Sequence, residues 1–296
     1  MLKAVFIGSH NEFDEILVHR LSQRVDVVGV VWTNATAWRQ TRKGTLEFAR
    51  KRLKRYGPLK VINETLYHLY FHAFLQERDA AELQRDVIDP YRAAHGDVSW
   101  RGDCIFTTDV NASEVLHFME ERQPDIGLAM CIHNYFGKRL REIPKLGVFL
   151  WHEAFTPEYK GLYSPFWAVH NLDFERLGYT LLLMNDELDA GDVYVQGPAV
   201  DIDPFRHNHL YVGHKAVMDS LPAVEDLFGK LEAGTAVRVD RSGSRSQTYT
   251  YPGISDLVRQ RVRLRRFARA VGQASPAISE AAGTSTGVVV VDQPGA

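Results

Sequence analysis

Residues 147–191 read GVFLWHEAFTPEYKGLYSPFWAVHNLDFERLGYTLLLMNDELDAG. The apolar, β-rich run 147–151 leads straight into His152. A loop punctuated by proline and glycine follows at 156–165, and Phe166-Trp167-Ala168-Val169 suits the start of a helix. A second apolar run, 179–184, ends in the acidic loop Asn185-Asp186-Glu187-Leu188-Asp189-Ala190-Gly191. Two strands are therefore expected, each delivering a polar residue at its C-terminal end, His152 from one and Asp189 from the loop after the other. In α/β sheets that edge is where ligands bind. An imidazole beside a carboxylate is a general acid/base unit, because the carboxylate orients the ring and stabilises its charged form. A lone histidine is more often a core residue held by a backbone hydrogen bond. The strand end, the proline- and glycine-marked loop and the second polar loop weigh against that here.

Working outward, residues 3–7 and 25–32 read as apolar strands around a helix at 12–23, which is a βαβ unit. As a dinucleotide fingerprint it is weak, since Gly8 stands alone where three glycines are needed. Residues 36–95 interrupt the alternation and read as a helical insertion, with Leu66, Leu69, Tyr70, Ala73 and Phe74 as its apolar face. Its stretch 39–60 holds nine Lys/Arg against one acid, Glu47, and reads as a solvated face, with a phosphate grip as the alternative. The alternation resumes with a strand at 104–107 and a helix capped at Asn111, with Glu114 three residues later. A strand at 125–131 follows, then a loop at 133–137 on the His152 edge and a short helix at 138–142. An amphipathic helix is predicted at 209–232, and a hairpin pairing 235–239 with 246–251. Six arginines fall in 259–269, read as a solvated helix end with contact to a phosphorylated substrate as the alternative. The expected organisation is an α/β domain at 1–205 with a mostly parallel sheet, a helix and small β extension at 206–271, and a disordered tail at 272–296.

Composition narrows the function classes. The 296 residues are 45% apolar, enough for a packed core, and the net charge of −2 predicts no nucleic-acid or membrane partner. The N-terminal apolar run is too short for a signal peptide, and no stretch approaches the roughly 18 apolar residues of a membrane span. A soluble, cytoplasmic protein is expected. Cys104 and Cys131 read as reduced core residues. No HExxH or paired Cys/His spacing points to a metal.

Taken together, five pieces resemble the formyltransferases that use 10-formyltetrahydrofolate, a family that includes methionyl-tRNA, glycinamide ribonucleotide and sugar N-formyltransferases. They are Gly147 with His152, Pro157-Glu158-Tyr159-Lys160-Gly161, Pro165-Phe166-Trp167-Ala168, Asp186-Glu187-Leu188-Asp189-Ala190-Gly191, and upstream Ile143-Pro144-Lys145-Leu146-Gly147. The resemblance covers roughly 1–35 and 100–205. It implies a Rossmann-like fold, 10-formyltetrahydrofolate as co-substrate and a small-molecule amine as acceptor. It implies that His152 stabilises the tetrahedral intermediate and moves a proton, and that Asp189 orients His152 and binds a relay water. The pterin would enter between a loop of His133, Asn134, Tyr135, Phe136 and Gly137 and a loop of Asn185, Asp186 and Leu188, largely through backbone contacts. The chain departs from the family at Leu150, where an asparagine donates to the oxyanion, and at Glu153, where proline follows the histidine. Leu150 leaves three outcomes open: a substitute donor such as Asn134 or His133, altered chemistry such as hydrolysis of the formyl donor, or a silent folate-binding protein. The acceptor reads as a small metabolite, with a nucleotide-linked amino sugar as one form and tRNA less favoured. A homodimer also stays open.

Overall fold

The computed structural model describes residues 1–34, 42–130 and 135–274. Its centre is a seven-stranded sheet in the order β3-β2-β1-β4-β5-β7-β8. The strands are β1 (Lys3–Gly8), β2 (Asp26–Thr33), β3 (Cys104–Thr107), β4 (Ile126–Met130), β5 (Val148–His152), β7 (Gly178–Leu183) and β8 (Asp192–Pro198). The first five run parallel. β7 is antiparallel to β5, and β8 to β7. The chain winds outward from β1 in both directions, so the topological switch lies between β1 and β4. This is a Rossmann-like, mostly parallel sheet with helices on both faces.

Alternation along β5 divides the core. Phe149 and Trp151 join the cluster built with α1 (Glu12–Ser22) and α9 (His209–Glu232). Val148 and Leu150 join the opposite cluster, with Val115, Leu116 and Met119 of α6 (Ser113–Arg122) and Leu140 of α7 (Lys138–Glu142). His152 has the parity of Leu150, so it faces the α6/α7 side.

Between β2 and β3 lie α2 (Arg42–Tyr56), α3 (Pro58–Phe74), α4 (Gln76–Leu83), a π-helical turn (Gln84–Ile88) and α5 (Asp89–His95). The apolar face expected on α3 is the wrong one. Leu66, Leu69, Tyr70 and Phe74 are exposed, as is Ala73, while Tyr67, Phe71 and Leu75 are buried. The aromatic pair wins because it packs on Phe166 of α8 (Ser164–His170) and Leu257 of α10 (Ile254–Ala274), a surface no local periodicity reveals. Asp79 of α4 fastens the insertion further: its carboxylate accepts the N–H groups of Asn208 (2.9 Å) and Tyr211 (3.0 Å) at the start of α9. These are donors a helix leaves unpaired at its N-terminus. Within the basic run, Arg52 turns inward to pair with Glu64 and stack on Tyr251.

Other expectations are corrected. Asn111 does not cap α6; Ala112 takes that position, because the Asn111 side chain is drawn to the loop after β4. Residues 235–239 form no strand, and the Val239 N–H donates to Val193 instead. The segment β9 (Thr248–Tyr249) pairs, parallel, with β6 (Lys160–Gly161). Cys104 is exposed at the start of the edge strand, while Cys131 lies outside the described residues. α10 continues to Ala274, beyond which the expected tail is outside the described residues. No helix among the described residues is long and apolar enough to cross a membrane.

The turn after β1 holds a buried acid. Asn11 accepts the Asp14 N–H (2.9 Å), and the Asp14 carboxylate accepts the Ser9 N–H (2.6 Å). Burial pushes the Asp14 carboxyl up to about 7, against the lowering effect of these bonds. A group raised in the folded state contributes stability that is fully present below its unfolded value, near pH 4, and is lost as pH rises through about 7. Asp14→Asn keeps an acceptor for Ser9 and removes the ionisation. Thermal melts across pH are expected to show the variant matching the wild type near pH 4 and exceeding it at pH 8. An offset that does not change with pH would show that burial does not govern this carboxyl.

Candidate active site

His152 closes β5 and is buried. Its Nε2 lies 2.6 Å from the Tyr159 carbonyl, so that nitrogen donates, and Nδ1 faces the Asp189 carboxylate at 3.8 Å. The neutral ring therefore carries its proton on Nε2 and its lone pair on Nδ1, an assignment set by the carbonyl, which can only accept. The backbone hydrogen bond expected of a core histidine and the carboxylate expected of an acid/base unit are both present.

Asp189 reaches His152, but not because two strands share an edge. β7 is antiparallel to β5, so its C-terminal end pairs with Phe149, away from His152. The loop between β7 and β8 folds back instead. Asp189 sits in the left-handed region at φ 47°, is buried, and its Oδ2 accepts the Gly161 N–H at 2.8 Å. Gly161 has φ 97° and lies so close to the Tyr249 carbonyl that no side chain fits there.

The loop after His152 is braced on every side. Thr180 donates to the Ala154 carbonyl (2.7 Å) and accepts the Thr156 N–H (3.2 Å) and the Gln196 amide (2.8 Å). Glu158 pairs with Arg241 and, at 3.5 Å, with Arg176. Burial raises the Glu158 carboxyl and the Arg241 hydrogen bond lowers it; the net shift is downward. Tyr159 stacks on Tyr249 at 5.4 Å, and Tyr249 on Trp167 at 5.1 Å. Burial pushes the Tyr159 phenol up, and it donates to Asp173 at 2.8 Å. The Tyr159 carbonyl, the Gly161 N–H and the bracing Tyr249 are site components that sequence reasoning missed. Two are backbone atoms and the third is remote in the chain, so no spacing signals them.

Of the two loops expected around the pterin, His133 and Asn134 lie outside the described residues. Tyr135 is exposed, and Phe136 is buried in the cluster that contains Leu150. The backbone groups expected to meet the pterin already have partners. Asn111 donates to the Tyr135 carbonyl (2.7 Å) and accepts the Gly137 N–H (2.6 Å), and Arg141 Nε donates to the Phe136 carbonyl (3.1 Å). The same guanidinium pairs with Asp186, so Arg141 ties the two loops together. Asn185 accepts the Glu187 N–H (2.9 Å), a local turn, and Leu188 is exposed. Leu150 is buried among apolar side chains beside this wall. Among the described residues no group of three or more His, Cys, Asp or Glu is placed to hold a metal ion.

No family model matches the chain. Over 97 residues it is 32% identical to the methionyl-tRNA formyltransferase of Thermotoga maritima, which is 33% of this chain and 30% of that protein. With the methionyl-tRNA formyltransferase of Clostridioides difficile it shares 29% identity over 119 residues, 38% of each chain. The chain thus spans about a third of the length of these curated relatives. A sugar N-formyltransferase from Shewanella sp. superposes with a TM-score of 0.49 at 12% identity, over 86% of this chain and 78% of that one. By sequence identity over the matched stretch, this chain is a relative of the formyltransferases.

Proposed function

We propose that this protein transfers a formyl group from 10-formyltetrahydrofolate to the amine of a small metabolite, with a nucleotide-linked amino sugar as one candidate acceptor. The observation that carries the reading is the His152–Asp189 pair at the end of β5, with Nε2 committed to Tyr159 and Nδ1 facing the carboxylate. The acceptor nitrogen attacks the formyl carbon and forms the new C–N bond. The tetrahedral oxyanion then collapses, the bond to folate N10 breaks, and N10 takes up a proton. Nδ1 of His152 is the ring atom open to accept the proton leaving the amine, and Asp189 stabilises the imidazolium so formed. Asp189 stays in place because the Gly161 N–H holds its other side. The loops of residues 135–137 and 185–188, joined by Arg141, would form the folate wall.

The test is tetrahydrofolate release from 10-formyltetrahydrofolate, measured with and without a panel of amines. Release that requires an amine supports transfer, and the productive amine names the acceptor class. Release without amine makes the protein a hydrolase. No release and no folate binding overturns the reading. One observation favours a second reading, a folate-binding protein without turnover: Leu150 has no oxyanion donor and packs in the apolar cluster. That reading requires folate binding and no release with any amine.

A further inference from the structure

Glu153 follows His152 directly and continues the alternation of β5 toward the opposite face, the side of α1 and α9. Its carboxylate lies against Gly213, inside α9. A Cβ added at Gly213 would stand 2.5 Å from the Glu153 Cδ and 2.7 and 2.8 Å from its two oxygens. Glycine inside a helix is destabilising by about 0.5–1 kcal/mol relative to alanine. Here the missing side chain is the space the carboxylate occupies.

Glu153 is half-buried and has no hydrogen bond or ion pair. Among the described residues every other buried or half-buried carboxylate has a partner. Glu158 has Arg241, Glu64 has Arg52, Glu82 has Arg206, and Glu225 has Arg20. Asp14 and Asp79 have backbone N–H groups. The neighbours of Glu153 offer no cation: Tyr163 is a buried phenol whose ionisation is pushed up to about 12, first by burial, then by Tyr251 and by Glu153 itself. A desolvated, unpaired carboxylate destabilises a fold unless something outside it supplies the counter-charge.

We propose that Glu153 receives the ammonium group of the acceptor, so that the protein selects primary amines that arrive as cations. The inference rests on the formyl-transfer reading above. A primary amine with a pKa near that of lysine is protonated at neutral pH. In the overall step R–NH3⁺ and 10-formyltetrahydrofolate give R–NH–CHO, tetrahydrofolate and H⁺. Of the two protons lost by nitrogen, one ends on N10 and the other leaves to solvent. Glu153 and His152 flank the end of β5 from its two faces. The cation is held on the α9 side, while the formyl donor lies on the His152 side.

Glu153→Gln keeps the shape and removes the charge. At neutral pH, with 10-formyltetrahydrofolate and cationic amines such as ethanolamine, the variant is expected to raise KM for the amine by about 10- to 100-fold. KM for the folate is expected to stay unchanged. Hydroxylamine, which is neutral at that pH, is expected to lose nothing. The variant is also expected to melt no lower than the wild type, because an unpaired charge has been removed. An unchanged KM for cationic amines overturns the inference, as does an equal loss with hydroxylamine. A lower melting temperature overturns it too, by showing that the carboxylate has a structural partner. If the wild type itself shows no amine-dependent release, the transferase reading fails and this inference falls with it. An active wild type with an indistinguishable variant removes only the role of Glu153.

Discussion

His152→Ala is expected to lower amine-dependent tetrahydrofolate release by about 100- to 10,000-fold, the range for loss of a positioned acid/base group. Tetrahydrofolate binding is expected to stay within a few-fold of wild type, because the ring belongs to the strand end and not to the proposed folate wall of residues 135–137 and 185–188. The alanine variant carries a confounding effect. It leaves the Tyr159 carbonyl without its 2.6 Å donor and Asp189 without its imidazole. An unsatisfied buried group costs about 1–3 kcal/mol, so part of the loss could come from the loop. His152→Gln separates the two effects, since its amide can donate to the Tyr159 carbonyl but cannot take up a proton. Both variants losing activity alike, with the glutamine form melting near wild type, would assign the loss to proton transfer. A glutamine variant that retains most of the release would place the chemistry elsewhere.

Leu150→Asn is expected to raise kcat by about 100-fold, because it puts an amide donor one alternation before His152 in a strand that lacks one. Removing such a donor typically costs 100- to 1000-fold. The gain comes with a loss of stability. Leu150 is buried in the cluster that includes Phe136, Leu182 and Val193, and trading its burial for an amide there is expected to cost about 2–5 kcal/mol. Turnover and thermal melts should therefore move in opposite directions. An unchanged kcat in a folded variant would mean that another group already donates to the oxyanion.

The sheet was legible because its strands are apolar runs whose period is local, and His152 was legible because it ends one of them. Asp189 was found for a reason that fails. The sequence does not show that β7 turns antiparallel, and the carboxylate arrives by a left-handed residue in a returning loop. The face of α3 was misread because two apolar stripes run along that helix and only tertiary contact decides between them. Tyr67 and Phe71 meet Phe166 and Leu257, while Leu66 and Leu69 meet solvent. The hairpin after α9 failed likewise: Thr248–Tyr249 has a better partner almost ninety residues upstream, at Lys160–Gly161. Asn111 suits a cap by type, yet two bonds to the Tyr135–Gly137 backbone outcompete the single cap bond.

The pairing of β6 with β9 bears on how the protein is made. Gly161 holds Asp189, and Gly161 is itself held against Tyr249. A nascent chain that has emerged only as far as β8 already contains His152 and Asp189, and the sheet can form around them. It lacks the strand that fixes the Gly161 N–H and the arginine that pins Glu158. Competence is thus a late event of synthesis. The ribosome must deliver residues 241–249 before the two groups of the site are locked in register, and any truncation upstream of them yields a folded sheet with an unfastened centre.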